Sequence, residues 1–538
     1  MKTRNKFFMN QQHHSKTIVM ILWTAALTLL SVPTVAQLID KTKAPNVADE
    51  GINKSLAQQV GTGRGNLMTV DSSAFIIGRD PFRSIRRGRQ LFQRKFTRSD
   101  GQGPVMTDGV GDVNKNLAIG AGLADSCASC HGRPRGSAGT GGDVVTRPDS
   151  RDAPHLFGLG LKEMLADEIT TDLRSIKAQA LSDAAAQRRS ITRKLVSKGI
   201  KYGSITANPN GTIDTDEVEG VDADLRVRPF FHHGGTISIR EFVVGALNAE
   251  MGLQAVDSEL TAAASGARIT TPSGMVLNGS ADLIEAPRAT SETDDPDEDG
   301  KTNEIPTSLV DHFEFYLLNY FKPATYQQTT ATRHGRAVFE QIGCDACHIP
   351  DLQINRDRRV ADVETVYDPL NGIFNNLFAT AIPLFTASND GRGFPELKLP
   401  RFQPFVVKNI FTDFKRHDLG PNFFERNYDG TTRTQFLTTP LWGVGSTGPY
   451  GHDGRSINLI EVILRHGGEA QSSRDAFVRL SSANRVDLLE FLNSLVLFPP
   501  DDTASNLNPG NRNAPLFPQF GHGSIRLTVL FNNPDDVE

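Results

Sequence analysis

The chain has 538 residues, with 57 Lys+Arg against 62 Asp+Glu and a net charge of −5, a balance that excludes a basic nucleic-acid-binding surface. Its length exceeds one hydrophobic core, and 38% hydrophobic content with 48 Gly and 29 Pro suits a loop-rich globular protein rather than a membrane bundle. Aromatic content rests on 31 Phe against 7 Tyr and 2 Trp, so enclosed pockets should be lined by phenylalanine.

In chain order, Lys2, Arg4, Lys6 and Lys16 precede an apolar run from Ile18 to Val32 and a small residue, Ala36. This pattern predicts a secretory signal over 1–36 and a periplasmic or secreted protein; a retained N-terminal anchor is the alternative reading. No other stretch suggests a membrane span, so the processed chain is not expected to be an integral membrane protein. Residues 83–96 put Ile85, Leu91 and Phe92 on one side of a helix. The glycine-rich stretch 101–122 leads to Cys127-Ala128-Ser129-Cys130-His131, followed by Arg133 and Arg135. Leu156 to Leu181 reads as a helix, and Ala184 to Gly199 as a second one with Arg188, Arg189, Arg193 and Lys194 on its polar side. Residues 287–306 turn sharply acidic. Helices around Leu309 to Tyr320 and Thr332 to Ile342 then lead to Cys344-Asp345-Ala346-Cys347-His348. A loop-rich insertion over 349–432, closing helices at Leu459 to Arg465 and Arg485 to Leu497, and an irregular tail over 500–538 complete the chain.

Cys-x-x-Cys-His is the attachment sequence of c-type haem: two thiols reach the two vinyl groups of one porphyrin, and the adjacent histidine meets the iron. The two copies use all four cysteines, Cys127, Cys130, Cys344 and Cys347, with His131 and His348 as proximal ligands. Zinc half-sites and redox dithiols are the competing readings; zinc needs four converging ligands, and a dithiol needs no following histidine. Arg133 and Arg135 are candidates for haem propionates, or simply a solvated loop. In the acidic segment, Asp295, Asp297 and Asp299 alternate before Gly300, as in a calcium loop, but position twelve is Pro306, leaving Glu304 as the substitute for a closing glutamate; a plain acidic linker is the alternative.

Three blocks recur in order. Gly88-Arg89-Gln90-Leu91-Phe92 parallels Gly335-Arg336-Ala337-Val338-Phe339, Pro154 to Gly160 parallels Pro440 to Gly445, and Pro229 to Glu241 aligns without a gap on Pro449 to Glu461. The expected fold is therefore mainly α with many loops, in two duplicated cytochrome c-like haem lobes at 37–286 and 307–499, joined by the acidic linker 287–306. Continuing the alignment sets His466 opposite Ala246. Histidine can supply a sixth ligand and alanine cannot, so the second haem is predicted closed and the first open, an asymmetry that favours an enzyme over a carrier. Glu241 can exchange a proton with a bound oxidant, although Glu461 fills the same slot and both can serve the fold alone. His232 and His452 are duplicated too, and read as hydrogen-bonding residues. Trp442 is a candidate electron relay, or a buried packing residue. His155 and His417 carry no decisive context.

These segments, with FFHHGG, GCDACH, HDLG at His417 and TTPLWGVGSTGPYGHDGRSINLIEVILRHGGEA, resemble the bacterial di-haem cytochrome c peroxidase superfamily in its di-haem oxidoreductase branch, from about Phe75 to Leu497. The resemblance implies a peroxide site at the first haem, electron entry at the second, His466 at an axial position that other members fill with methionine, Glu241 as the catalytic glutamate, and calcium between lobes. The loop 146–150, where such peroxidases keep a displaceable histidine, has none here. Hydrogen peroxide or another small oxidant and a small redox donor, a cytochrome c or cupredoxin, are the implied partners. Two further functions compete with peroxide reduction. One is oxidation or oxygenation of an organic substrate, as in related rubber-cleaving oxygenases and the enzyme that matures tryptophan-derived cofactors; the other is a non-enzymatic carrier whose first haem is closed by His233 or Met251.

Overall fold

The computed structural model describes residues 55–103, 124–132, 138, 143–144, 151–320, 328–362, 382–427, 430–497 and 532. Contacts divide the chain into two units, Met1–Pro45 and Asn46–Glu538, and every described residue belongs to the second. The signal segment, Arg133, Arg135, loop 146–150 and nearly all of the tail lie outside the described residues.

Helix α1, Pro81–Gln93, starts on a proline whose missing N–H costs nothing in a first turn. It buries Phe82, Ile85, Leu91 and Phe92, the side its spacing predicts. One turn, α2 (Cys127–His131), carries the first motif, and the long α3 spans Leu159–Gln187. Helix α4, Ile239–Met251, is capped by the Ser238 hydroxyl at its start and by Gly252 in the left-handed region (φ 70°) at its end. Helix α5, Thr307–Asn319, is buried along nearly its whole length. Helix α6, Thr330–Gln341, leads into the second motif; α7, Leu459–Arg465, precedes His466, and α8, Ser482–Asn493, closes the set.

Between the helices the chain pairs as small antiparallel sheets. Strands β1 (Ile191–Ser197), β2 (Ile200–Ala207) and β3 (Ile213–Asp214) form the largest among the described residues. Here the structure overturns the second predicted helix. Helix α3 stops at Gln187, Arg188 turns left-handed (φ 53°), and the run from Ile191 becomes a strand closed by the two-residue turn Lys198-Gly199 at φ 49° and 82°. Ile191, Leu195 and Ser197 are buried while Thr192, Arg193 and Lys194 are exposed, and it is the pairing with β2 that makes this run a strand. The 349–432 insertion is likewise sheet-rich. Its strands include β4 (Leu352–Ile354) paired with β5 (Phe405–Val407), and β6 (Arg416–Asp418) paired with β7 (Gln435–Leu437).

The expected mainly α fold of two duplicated cytochrome c-like haem lobes is therefore corrected. Of the described residues, 38% are helical and 16% are in strands or bridges. The matched blocks do take matched local forms: Gly88 abuts the His312 carbonyl and Gly335 that of Asp487, where an added Cβ would stand 2.2 and 1.9 Å away. Phe230 bridges Thr236 as Tyr450 bridges Ser456. The likeness stops there, because the chain between the blocks is built differently and packs together. One apolar core joins Leu165, Leu195 and Tyr202 to Leu352, Val407 and Trp442, and a second joins α1, α4 and α5 to Val360, Phe385 and Leu497. These two cores cross the linker, while a third, from Val338 and Phe339 to Phe477 and Phe491, is closed within 307–499. Among the described residues, no helix is long and apolar enough to cross a membrane.

Candidate active site

At the first motif, α2 holds Cys127, Cys130 and His131 on one turn. The His131 Nδ1–H donates to the Pro154 carbonyl at 2.8 Å, which leaves Nε2 as the unprotonated nitrogen. Burial lowers the imidazole to about 4, so it stays neutral, the form that binds a metal. The second motif repeats the device: His348 Nδ1 donates to the Phe411 carbonyl at 3.0 Å, and burial lowers this ring to about 4 as well. His466, just past α7, donates Nδ1–H to the Val462 carbonyl at 2.7 Å, and its pKa too is lowered by burial. It lies near enough to His348 for a charge on either ring to repel one on the other. Burial also pushes the Cys127 and Cys344 thiols up to about 12, unlike activated redox thiols. Among the described residues the two motifs do not share one ligand cluster, although Cys347 of the second lies within 4.8 Å of Asp413 and His417.

A cavity of about 660 Å³, within the usual range for cofactor pockets, opens against the first motif. Cys127, Cys130 and His131 stand in its wall with apolar side chains such as Phe92, Phe157 and Phe313. Two thiols, a neutral histidine with a free Nε2 and an apolar shell fit a haem. Ala246 also lines the cavity and offers no ligand, whereas His466, its counterpart in the alignment, accompanies the second motif. His233 and Met251, the candidates for closing the first haem, stand in the same wall.

Glu241 lines the cavity and is only 5% exposed. Its Oε2 accepts from the Ile237 N–H (3.2 Å) and the Ser238 hydroxyl (3.1 Å), while Oε1 accepts one long bond from the Glu285 N–H (3.4 Å). Burial raises the carboxyl to about 6 against these bonds, which favour the charge. Glu461 makes the equivalent bond to the Ile457 N–H (2.8 Å) but is exposed. The cap geometry is shared; the enclosure belongs to Glu241 alone.

Sequence reasoning passed over one cavity residue, Lys162, and gave another, His155, no role. Lys162, in the first turn of α3, holds its ammonium 5.6 Å above the Phe230 ring, and burial lowers it to about 8. His155 donates Nε2–H to the Trp442 carbonyl (3.2 Å) and leaves Nδ1 buried without a partner. That bond completes a chain between the motifs: from His131 to the Pro154 carbonyl, along the backbone to His155, to Trp442, back one residue to Leu441, whose N–H donates to the Ile410 carbonyl (3.0 Å), and from the next residue's carbonyl, Phe411, to His348. Trp442 is buried in the cavity wall beside this chain. At the second motif, His417 is bracketed by Asp413 (2.9 Å) and Glu469 (2.7 Å); burial opposes its charge, but hydrogen bonds to Asp413 and Cys347 raise it to about 11. His232 and His452, the duplicated pair, meet at 6.0 Å between ring centroids.

The described residues place two histidine-bearing motifs, one of them beside a cavity, with side chains that fit haem. Residues 356–495 match the family described as "Di-haem oxidoreductase, putative peroxidase", a segment that contains the HDG block and His466, so the resemblance carried by the motifs holds there and haem is the cofactor the family implies. No curated protein matches the chain. Among solved structures, hydrazine synthase from Kuenenia stuttgartiensis aligns at 13% identity and a TM-score of 0.34 over 84% of this chain and 100% of its own; at that score the likeness carries no functional argument.

Proposed function

We propose that the protein is a periplasmic or secreted di-haem c-type peroxidase, with haem attached through Cys127 and Cys130 at the first motif and Cys344 and Cys347 at the second. The observation that carries this reading is the first cavity: His131 and Glu241 share its wall, and Ala246 stands where a closing ligand is expected. Haem would supply a redox iron able to reduce a small oxidant. The protein's part is to leave room beside it, with Ala246 rather than a ligand in the wall, and to manage protons. Glu241 Oε1, with its one long hydrogen bond, is the oxygen suited to take a proton from hydrogen peroxide and return it to the departing oxygen. Two electrons and two protons then balance one peroxide against two waters. A carboxyl near 6 can act in both directions at neutral pH.

At the second motif, His348 and His466 both offer Nε2, a pair suited to a closed haem that passes electrons. The donor would be a small redox protein, a cytochrome c or cupredoxin. The hydrogen-bonded chain through His155 and Trp442 offers the route between sites. The test is an optical and EPR titration of the haem-loaded protein with hydrogen peroxide. One high-spin and one low-spin haem are expected, with peroxide changing the high-spin signal. Two low-spin haems that ignore peroxide would mean that His233 or Met251 closes the first site, and the protein would be an electron carrier. An open haem without peroxide turnover would favour oxidation of an organic substrate.

A further inference from the structure

The cavity against the first motif also holds a positive charge for which the described residues offer no counter-charge. Lys162 stands in its wall one turn into α3, with its ammonium 5.6 Å from the centroid of the Phe230 ring. Among the described residues no carboxylate pairs with this ammonium, and burial is the one influence that moves its pKa. Asp152, Glu241, Glu250 and Glu285 line the same cavity, yet none of them forms an ion pair with it. His155 offers no charge either: burial, and then repulsion by Lys162 itself, lower that ring to about 3. Its Nε2–H is taken by the Trp442 carbonyl, and its buried Nδ1 is an acceptor without a donor. The surroundings of the ammonium are apolar, with Phe230 beneath it and Leu159 three residues back on the same face of α3, both buried. A ring face attracts a cation only weakly beside the cost of taking an ammonium out of water, so the site is incomplete without an anion.

We propose that Lys162 binds a carboxylate inside this cavity, its ammonium donating to the anion while the apolar wall takes the organic body that carries it. A hydrated inorganic anion would lose water that Phe230 and Leu159 cannot replace, whereas an organic acid sets its charge on the ammonium and its body on the rings and side chains around it. Two sources have this chemistry. One is a propionate of the haem proposed at Cys127 and Cys130. Vinyl and propionate groups leave opposite edges of the porphyrin, so a ring tied to α2 through its vinyl groups presents its carboxylates to other elements of the wall, of which α3 is one. The other is a soluble organic acid that enters as substrate. Arg288, the other Lys or Arg among the described residues of the wall, is exposed to water, which leaves Lys162 as the enclosed cation. On a propionate, Lys162 fixes the orientation of the ring and its charge favours the ferrous over the ferric state. On a substrate, it selects acids over neutral molecules of the same shape. The inference rests on the haem reading for the first source alone.

The experiment compares the full purified chain with three variants. Lys162→Met keeps the length of the side chain and its contact with Phe230 but not the charge, Lys162→Arg keeps the charge, and Arg288→Gln removes an equal charge from the exposed part of the wall. Mass spectrometry reports whether haem is attached at Cys127 and Cys130. Resonance Raman follows the propionate-bending bands, a redox titration follows the haem at the first motif, and calorimetry follows sodium benzoate, with benzamide and phosphate as controls. A propionate partner predicts that Lys162→Met shifts a propionate band and lowers the reduction equilibrium constant of that haem about tenfold, or about 59 mV for one electron, that Lys162→Arg leaves both near wild type, and that benzoate does not bind. A soluble acid predicts benzoate binding that Lys162→Met weakens at least tenfold and Lys162→Arg less than threefold, with no heat from benzamide or phosphate. Unmoved bands and potential together with no benzoate heat would overturn the proposal. An equal effect of Arg288→Gln would overturn it too, since that would mean a general field rather than a site, as would phosphate binding as tightly as benzoate. A chain with no haem at Cys127 and Cys130 would refute the haem reading, and in that chain the benzoate titration decides this inference by itself.

Discussion

Replacing Glu241 with glutamine separates its two roles, because one responds to pH and the other does not. Folding moves this carboxyl from an ordinary 4.5 to about 6, chiefly by burial. Below pH 4.5 it is protonated in both the folded and unfolded chains and favours neither. As pH rises through 6 the folded chain must carry a buried charge that the unfolded chain carries in water, and stability falls by about 2 kcal/mol, at roughly 1.36 kcal/mol per pKa unit. Glutamine cannot ionise, so the stability of Glu241→Gln relative to wild type should rise by about 2 kcal/mol between pH 4 and pH 8. The substitution also disturbs the acceptors for the Ile237 N–H and Ser238 hydroxyl, at a cost of about 1–3 kcal/mol that is the same at every pH. Urea unfolding of both proteins across that range isolates the pH-dependent part. In peroxide turnover the same variant should lose about 10²- to 10⁴-fold in rate, and with it the limb of the pH–rate profile near 6. A stability difference flat with pH would refute the buried-charge argument. An unchanged turnover rate would leave Glu241 a helix cap, the role Glu461 performs.

His466→Ala gives the second site the residue its counterpart, Ala246, has at the first; EPR should show the low-spin signal replaced by a high-spin one, and an unchanged spectrum would remove His466 from the iron. His155→Phe keeps a ring of similar size but breaks the bond to the Trp442 carbonyl. It should cost about 1 kcal/mol in denaturant unfolding, and slow electron exchange between haems after flash reduction without altering either haem's resting spectrum. Gly335→Ala places a Cβ 1.9 Å from the Asp487 carbonyl where α6 crosses α8, and should destabilise by about 1–3 kcal/mol or more in thermal unfolding. Gly245→Ala, in the middle of α4 with nothing within 4 Å, should instead stabilise the haem-free chain by about 0.5–1 kcal/mol.

Chemistry that depends on neighbours in sequence was legible without a structure. Cys-x-x-Cys-His spans one turn, so Cys127, Cys130 and His131 stand together as their spacing predicts, and Asp295, Asp297 and Asp299 likewise lie within 4.8 Å of one another. The side of α1 that is buried, the cap shared by Glu241 and Glu461, and the exchange of Ala246 for His466 also follow from local pattern. What failed was whatever depends on distant packing. Residues 191–197 read as a helical face because three polar residues between Ile191 and Leu195 satisfy either period over so short a run; pairing with β2 chose the strand. The inference of two lobes failed because alignment sees the matched blocks but not the cores between them, where α3 and its sheet pack on β4 and β5 across the linker. His155 lay in a matched block but without a role, and Lys162 had no signal at all, since each takes its meaning from a partner far away in sequence: Trp442 and Phe230. Short-range geometry is written in covalent spacing, whereas burial, desolvation and the meeting of remote groups come into being only when the chain has closed on itself.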